Sequence, residues 1–221
     1  MRRLIYSLAD LAGWANKRIS VMRNERRWDT LRRRGMHIGQ GVNMPASTFV
    51  DTSHCFLIRI GDWCGFGEDC VILAHDGQFD EFLDAGRIGR VIIHDHSHIG
   101  ARSIVLAGVE IGPRTLVGAG SVVTRSLPPD TVCAGNPAKV ICSLEEYLDR
   151  HREAMKARPC FPYGKYDIDV LSPERRAELV AAVAEGDAYL TGGFTETLEG
   201  RGGMRVTRFD RGAFERPSSE T

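Results

Sequence analysis

The sequence predicts a mainly β fold, a parallel solenoid of six-residue repeats with helical segments at both ends. Read in steps of six, a long central stretch has a branched aliphatic residue at every step, followed in several repeats by glycine. The fifth position of each repeat is short. A helix repeats every 3.6 residues and a strand every two, so a sustained period of six indicates short strands separated by turns. The aliphatic positions are Ile93, Ile99, Val105, Ile111, Val117 and Val123.

The same period occurs twice earlier in the chain. One set has Ile60, Phe66 and Ile72 at the first position, with Cys64 and Cys70 at the fifth. Another set has Ile38, Met44, Val50 and Phe56 at the first position, with Val42 and Thr48 at the fifth. Three repeats complete one coil around a triangular prism, and we expect both positions to point inward. Neighbouring coils then hydrogen-bond and bury each other's core. A register slip separates Phe56 from Ile60.

Four segments follow from these patterns. Residues 1–35 predict a basic helical segment with one apolar face, which Gly35 ends. We favour a helix packed on the solenoid, and the alternative is a helix lying on an anionic membrane surface. Residues 36–142 form the solenoid, which residues 76–90 interrupt with a non-repeating loop, the excursion. Residues 143–191 are expected to be helical, and residues 192–221 form a weakly ordered, Gly- and Arg-rich tail.

Composition excludes several classes of partner. The chain has 29 basic and 29 acidic residues, so no net field favours nucleic acid. There is no apolar run long enough to span a bilayer and no signal-peptide pattern. The six cysteines contain no CxxC pair, and two of them fill inward repeat positions. These features predict a protein of a reducing cytoplasm.

His75 is the first candidate for chemistry, because it lies where the regular repeats give way to the excursion. The solenoid fixes its backbone, and the loop gives access to its side chain. A histidine can accept a proton near neutral pH, and a positioned base contributes roughly 10²–10⁴-fold to a rate. A long loop outside a solenoid is usually functional.

The segment ILAHD, the excursion, and the long run from IHDHSHIG to GNPAKVI resemble the sugar O-acetyltransferases of the hexapeptide-repeat acyltransferase family. Maltose and galactoside acetyltransferases and the acetyltransferases of polysaccharide clusters share this layout, and the resemblance covers about residues 36–158. It implies a left-handed parallel β-helix, a homotrimer and acetyl-CoA as co-substrate, with no metal. It also implies acetyl transfer to a hydroxyl of a sugar or surface-polysaccharide precursor, by direct attack without an acyl-enzyme.

The resemblance also implies roles for individual residues. His75 is the general base, and Asp76, Glu68 or Asp69 could orient its imidazole. The excursion shapes the acceptor pocket, where three acidic residues are available to hydrogen-bond sugar hydroxyls: Asp80, Glu81 and Asp84. The acetyl-CoA site falls between subunits, on five residues of the later coils: Ala101, Ala119, Thr124, Arg125 and Lys139.

Three alternatives remain open. Acetylation of an amino group on a nucleotide-linked sugar needs the same base. His94, His96 and His98 alternate along the chain, and with His75 they could bind zinc, as in the β-helical carbonic anhydrases. A solenoid that only binds or scaffolds is the third alternative. His98 also stands where many sugar acetyltransferases have tryptophan. This difference argues against a stacking platform at that point. The long basic N-terminal segment and the tail favour a surface-polysaccharide pathway.

Overall fold

The computed structural model of the protein describes residues 25–194, and the chain divides at Leu144 into two compact units. The first unit is built from three parallel sheets, the faces of a prism, which the chain visits in rotation. The first face contains β1 (His37–Ile38), β3 (Ile58–Ile60), β8 (Val91–Ile93) and β11 (Glu110–Ile111). The second contains β4 (Gly65–Phe66), β9 (His98–Ile99), β12 (Leu116–Val117) and β14 (Thr131–Ala134), which an antiparallel β15 (Lys139–Ser143) extends. The third contains β2 (Phe49–Val50), β5 (Val71–Ile72), β10 (Ile104–Val105) and β13 (Val122–Val123).

The strand registers confirm the mainly β, parallel class and define four coils and a partial fifth. Ile93 pairs with Ile111, 18 positions later, which is three repeats of six. Ile38 pairs with Ile60, 22 positions later, so the first coil holds four extra residues. Ile60 pairs with Ile93, 33 positions later, because the excursion interrupts the second coil. The coils therefore start at Ile38, Ile60, Ile93 and Ile111, and the fifth at Leu127.

The core is a column of aliphatic side chains along the prism axis, and all six positions predicted from Ile93 to Val123 are buried. The short fifth residues are buried beside them. Three of their hydroxyls donate to carbonyl oxygens of the neighbouring coil: Ser97 Oγ to Gly112 at 2.7 Å, Ser103 Oγ to Gly118 at 3.1 Å and Thr115 Oγ1 to Pro128 at 2.7 Å. Ser121 Oγ donates to the Gly118 carbonyl oxygen of its own coil at 2.6 Å. A buried hydroxyl with a partner avoids the desolvation penalty of an unpaired one, so serine and threonine are tolerated here.

One core prediction is wrong. Phe56 is 56% exposed. After Val50 the chain leaves the third face and makes a short 3₁₀ helix, Cys55–Leu57. The residues that enter the core from this segment are Cys55 and Ile58, which turns Phe56 outward. The register therefore slips between Val50 and Ile58, earlier than the sequence predicts.

The excursion is ordered. It is a hairpin of β6 (His75–Asp76) and β7 (Arg87–Ile88), with α2 (Asp80–Leu83) at its tip. Arg87 ties it to the solenoid by donating to the Ala107 carbonyl oxygen at 2.9 Å.

Residues 25–33 form a helix, α1, that packs on the core through Leu31 and Trp28. Arg27 donates to the Ala46 carbonyl oxygen at 2.8 Å and also to that of Thr48. Gly35 follows with φ of +95°, the left-handed backbone expected after a helix end. The predictions for residues 1–24, including most of the membrane-binding alternative, and for the tail from residue 195 lie outside the described residues.

The second unit is mixed. It contains most of α3 (Leu144–Ala157), then β16 (Cys160–Pro162), α4 (Tyr163–Tyr166), a 3₁₀ turn Ile168–Val170, α5 (Pro173–Ala182) and β17 (Tyr189–Thr191). β16 and β17 pair in parallel. The Ser172 hydroxyl caps α5 by accepting from the Arg175 N–H at 3.3 Å. Within residues 25–194, none of the helices has the length and apolarity that crossing a membrane requires.

Candidate active site

His75 is the first residue beyond the second coil. Up to Ala74 the chain is part of the coil, because the Leu73 N–H donates to the Val105 carbonyl oxygen at 2.9 Å and Ala74 is fully buried. From His75 onward the backbone pairs with β7 in the hairpin. The imidazole is thus anchored on the solenoid, yet its side chain is 45% exposed and can meet a ligand.

The carboxylate that contacts His75 is Asp51, which is 2% exposed and comes directly after the third-face strand of the first coil. Asp51 Oδ2 forms a hydrogen bond with His75 Nδ1 and also accepts from the Ala74 N–H at 3.1 Å. Asp51 Oδ1 accepts from the Ser53 hydroxyl at 2.7 Å, from the Ser53 N–H at 3.0 Å and from the His54 N–H at 3.1 Å. Five donors therefore surround this one buried carboxylate.

These contacts decide the charge of Asp51. Burial by itself raises the pKa of the carboxyl, but the hydrogen bonds from His75, Ser53, and the backbone of His54 and Ala74 outweigh it. The net effect holds the pKa of Asp51 well below its usual range. Asp51 is consequently an anion throughout the neutral range.

An anionic carboxylate can only accept hydrogen bonds, so His75 Nδ1 must carry the proton between them. In the neutral imidazole the lone pair then lies on Nε2, the nitrogen away from Asp51. When Nε2 takes a proton, the resulting imidazolium stays paired with Asp51. The pair therefore has the arrangement of a general base with an orienting carboxylate.

His54 is a second imidazole at this site. Its ring centroid lies 5.0 Å from that of His75. His54 Nδ1 is 3.0 Å from the Ser53 hydroxyl, which itself donates to Asp51. Both imidazoles thus lie beside one carboxylate: His75 is bonded to it directly, whereas His54 Nδ1 is 4.0 Å from Asp51 Oδ2 and is linked to Asp51 through the Ser53 hydroxyl.

Asp51, His54 and His75 also bring potential metal-ligand atoms within 4.8 Å of one another. Both oxygens of Asp51 already accept hydrogen bonds from protein donors, which suits an acid–base pair better than a metal ligand. The zinc alternative proposed a different set. His94 Nε2 is instead hydrogen-bonded to Glu110 at 2.6 Å, and the converging group found among residues 25–194 contains none of the three alternating histidines.

Comparisons with known proteins define the family. The model described as bacterial transferase hexapeptide (six repeats) matches residues 90–125. YvoF of Bacillus subtilis (strain 168), which is named as an acetyltransferase, is 31% identical over 119 residues, covering 54% of this chain and 67% of YvoF. The chain belongs to the hexapeptide-repeat acetyltransferases.

Other similar proteins include one further sequence relative and two solved structures. The 2,3,4,5-tetrahydropyridine-2,6-dicarboxylate N-acetyltransferase of Staphylococcus aureus (strain bovine RF122 / ET3-1) is 45% identical over 67 residues, which is 30% of this chain but only 28% of that enzyme. A maltose O-acetyltransferase structure from Clostridium difficile is 26% identical and covers 54% of this chain and 75% of that chain, with a TM-score of 0.44. The acetyl-CoA complex of VCA0836 from Vibrio cholerae is 22% identical and covers 55% and 78%, with a TM-score of 0.43.

In this hexapeptide-repeat chain, the five residues predicted for acetyl-CoA lie at different corners of the prism. Thr124 and Arg125 follow the third face in the fourth coil, at the corner that carries His75 two coils earlier. Ala101 and Ala119 follow the second face and stack in adjacent coils, where the Gly120 N–H donates to the Ala101 carbonyl oxygen at 2.8 Å. Lys139 is exposed at the start of β15. Their role in binding acetyl-CoA stays a prediction.

The predicted acceptor residues lie at the tip of the excursion. Asp80 and Glu81 are in the first turn of α2, and Asp84 ends it in left-handed backbone with φ of +49°. All three are exposed, as acceptor-binding side chains would need to be.

None of the three carboxylates predicted to orient His75 is the one in contact with it. Asp76 Oδ1 accepts instead from the Gln78 N–H at 3.0 Å. Glu68 accepts a hydrogen bond from the Ser47 hydroxyl, and Asp69 Oδ2 lies 3.7 Å from Arg102 Nε.

The sequence held a signal for Asp51. Val50 and Ile72 are equivalent core positions one coil apart, and their pairing puts Asp51 beside Leu73, two residues before His75. Aligning the coils, rather than searching along the chain near His75, would have found it.

Proposed function

We propose that the protein transfers an acetyl group from acetyl-CoA to a hydroxyl of a sugar or of a surface-polysaccharide precursor. The observation that carries this proposal is the His75–Asp51 pair, an exposed imidazole with a buried anionic partner at the break in the coils. Family membership supports acetyl transfer as the reaction. Exposed carboxylates on the neighbouring excursion can accept hydrogen bonds from several hydroxyls of one acceptor.

In this mechanism His75 Nε2 removes the proton from the acceptor hydroxyl as the oxygen attacks the thioester carbonyl of acetyl-CoA. The imidazolium that forms is stabilised by Asp51. When the tetrahedral intermediate collapses, the C–S bond breaks and the coenzyme A sulfur leaves. His75 returns the proton to that sulfur, so the enzyme ends in its starting state. The acceptor is itself the nucleophile, and no acyl-enzyme forms.

The proposed assembly is a homotrimer of left-handed β-helices in the cytoplasm, with acetyl-CoA bound between subunits. The predicted cofactor residues lie at two corners of the prism, with Thr124 and Arg125 at one and Ala101 and Ala119 at the other. A groove between subunits would bring a corner of one subunit to a different face of its neighbour. Both sets of residues could then contact the same acetyl-CoA molecule. Lys139 and Arg125 would supply positive charge for the phosphates of the coenzyme.

Acetylation of an amino group is the second candidate. It is favoured by the 45% identity over 67 residues to an N-acetyltransferase. An amine nucleophile needs the same base, so the site supports either acceptor. The excursion carboxylates would then bind the acceptor as a cation before its deprotonation.

The test is thiol release from acetyl-CoA with a panel of sugars, amino sugars and nucleotide sugars, for the wild type and His75→Ala. We expect one acceptor class to be used, with kcat reduced about 10²–10⁴-fold in the variant. His94→Ala is the matched control, because His94 is similarly exposed and bonded to a carboxylate, but in a regular coil. Full turnover by His75→Ala would remove the proposed base, and failure of the wild type to bind acetyl-CoA would overturn the function.

A further inference from the structure

The four extra residues of the first coil lie within residues 51–58, which we call the insert. The insert lies beside His75. It is fixed at its start by the hydrogen bonds to Asp51 and further along by Cys55, which is buried with Sγ 3.8 Å from the Arg34 carbonyl oxygen. Anchored at both points, the insert holds the two side chains on either side of Cys55, His54 and Phe56, in defined positions.

The two side chains continue the imidazole of His75 into a row of three rings. The centroids of His75 and His54 are 5.0 Å apart with planes at 43°, and those of His54 and Phe56 are 6.0 Å apart with planes at 48°. The row is open to solvent, with His54 31% exposed in its side chain and Phe56 56% exposed. It therefore presents an apolar surface with polar ring nitrogens immediately next to the proposed base.

We propose that His54 and Phe56 bind the acceptor, and that they select a pyranose ring. A pyranose has a face of C–H groups and an edge of hydroxyls. The C–H face would lie against Phe56 and His54 while one hydroxyl reaches His75 Nε2. Because Ser53 engages His54 Nδ1, His54 Nε2 is the atom that would hydrogen-bond a second hydroxyl. This inference rests on the proposed function and gives the site its substrate class.

The chain offers a matched control for Phe56. Phe49 is 55% exposed and lies on β2, two residues before Asp51. Among the ring contacts of the described residues, none joins Phe49 to His54 or His75. Removing Phe49 therefore deletes the same kind of exposed surface without touching the ring row. Phe56→Ala leaves unchanged the contacts that fix the insert, which are the hydrogen bonds to Asp51 and the buried Cys55.

The experiment compares Phe56→Ala, Phe56→Trp and Phe49→Ala with the wild type in acetyl-CoA thiol release. The acceptors are methyl α-D-glucopyranoside, methyl α-D-galactopyranoside and sorbitol, an open-chain polyol without a ring face. We expect a methyl pyranoside to be used in preference to sorbitol. Phe56→Ala should raise its KM about tenfold with little change in kcat or in the KM for acetyl-CoA. Phe56→Trp should restore the lower KM, and Phe49→Ala should behave as wild type.

Four outcomes would overturn the inference. An unchanged acceptor KM in Phe56→Ala would remove the ring row from the acceptor site. Equal use of sorbitol would remove the ring selectivity, and intact acetyl-CoA binding without turnover of either pyranoside would exclude that acceptor class. A changed sedimentation coefficient in Phe56→Ala would assign Phe56 to contact with a second copy of the chain. Loss of acetyl-CoA binding in the wild type would instead overturn the proposed function.

Discussion

The first two coils and the next two share one core but differ in what they do. The third and fourth coils repeat every 18 residues without interruption, from Ile93 to Val123. The first two contain the insert and the excursion. The residues of the candidate site come from these interruptions or from their first residues: Asp51, His54 and Phe56 from the insert, and His75 from the start of the hairpin.

The difference shows why regular coils carry little chemistry of this kind. In the regular coils the position that follows the third face is not buried: Leu106 is half-buried and Thr124 is exposed. Asp51 occupies the same position after the third face as Leu106 and Thr124 in the later coils. It alone of these is buried, because the residues that follow it in the insert turn back and donate the N–H groups of Ser53 and His54 to it. An interruption is thus needed to bury a charged group with its partners satisfied.

The largest effect should come from breaking the carboxylate–imidazole contact. In Asp51→Asn, an amide N–H facing His75 Nδ1 favours the tautomer with the proton on Nε2, which has no lone pair for the acceptor. We expect kcat for thiol release to fall about 10²–10⁴-fold. The control is Asp69→Asn, an exposed carboxylate near Arg102. A wild-type rate in Asp51→Asn would show that the buried carboxylate is dispensable.

Truncating an aliphatic side chain should lower the free energy of unfolding more in a regular coil than in the excursion. Ile111 is fully buried in the fourth coil, so Ile111→Ala should lower the free energy of unfolding by about 2–5 kcal/mol. Ile88 is exposed on the excursion, and Ile88→Ala should change it by at most about 0.5 kcal/mol. Urea denaturation at one protein concentration measures both. Equal losses would mean that the excursion is as much a part of the core as the coils.

The free energy of unfolding should depend on pH through the carboxylate of Asp51. Its pKa is lower in the folded protein than the value of about 3.9 expected when unfolded. The contribution of Asp51 to the free energy of unfolding is therefore complete above the pKa of the unfolded state. It is lost as the pH falls through the pKa of the folded state. The wild type should be more stable than Asp51→Asn by about 1–3 kcal/mol at neutral pH. The difference should shrink below about pH 4.

That comparison is made by urea denaturation at a series of pH values, with Asp69→Asn as the control. A difference that grows on acidification would mean that Asp51 is protonated in the folded protein.

The smallest predicted effect is a difference in reactivity between two cysteine thiols, Cys64 and Cys160. Burial raises the pKa of Cys64 to about 11, because the side chain fills an inward position of the second coil. Cys160 is exposed in the second unit. Iodoacetamide at mildly alkaline pH should label Cys160 and leave Cys64 unmodified until the protein is denatured. Peptide mass spectrometry, with Cys160→Ser as control, measures this. Labelling of native Cys64 would mean that the second coil opens readily.

The core of the coils and the point at which they are interrupted could be predicted from the sequence. A period of six depends only on which residues point inward, a local property, so the columns from Ile60 to Ile72 and from Ile93 to Val123 could be predicted residue by residue. The end of the second coil marked His75 for the same reason. Where the repeat failed, at Phe56, the prediction failed too, because no periodicity remained to say which side of the chain faced the axis.

The partners of His75 could not be predicted in this way, because they depend on contacts between coils. Asp51 is 24 residues from His75, and their contact depends on how two coils stack and on how the insert folds back over the carboxylate. The row formed by His54 and Phe56 has the same origin, since the anchoring of Cys55 to the residues before β1 holds the two rings beside one another, with His54 next to His75. Contacts between coils follow from register and insert geometry, which a pattern along one chain does not contain.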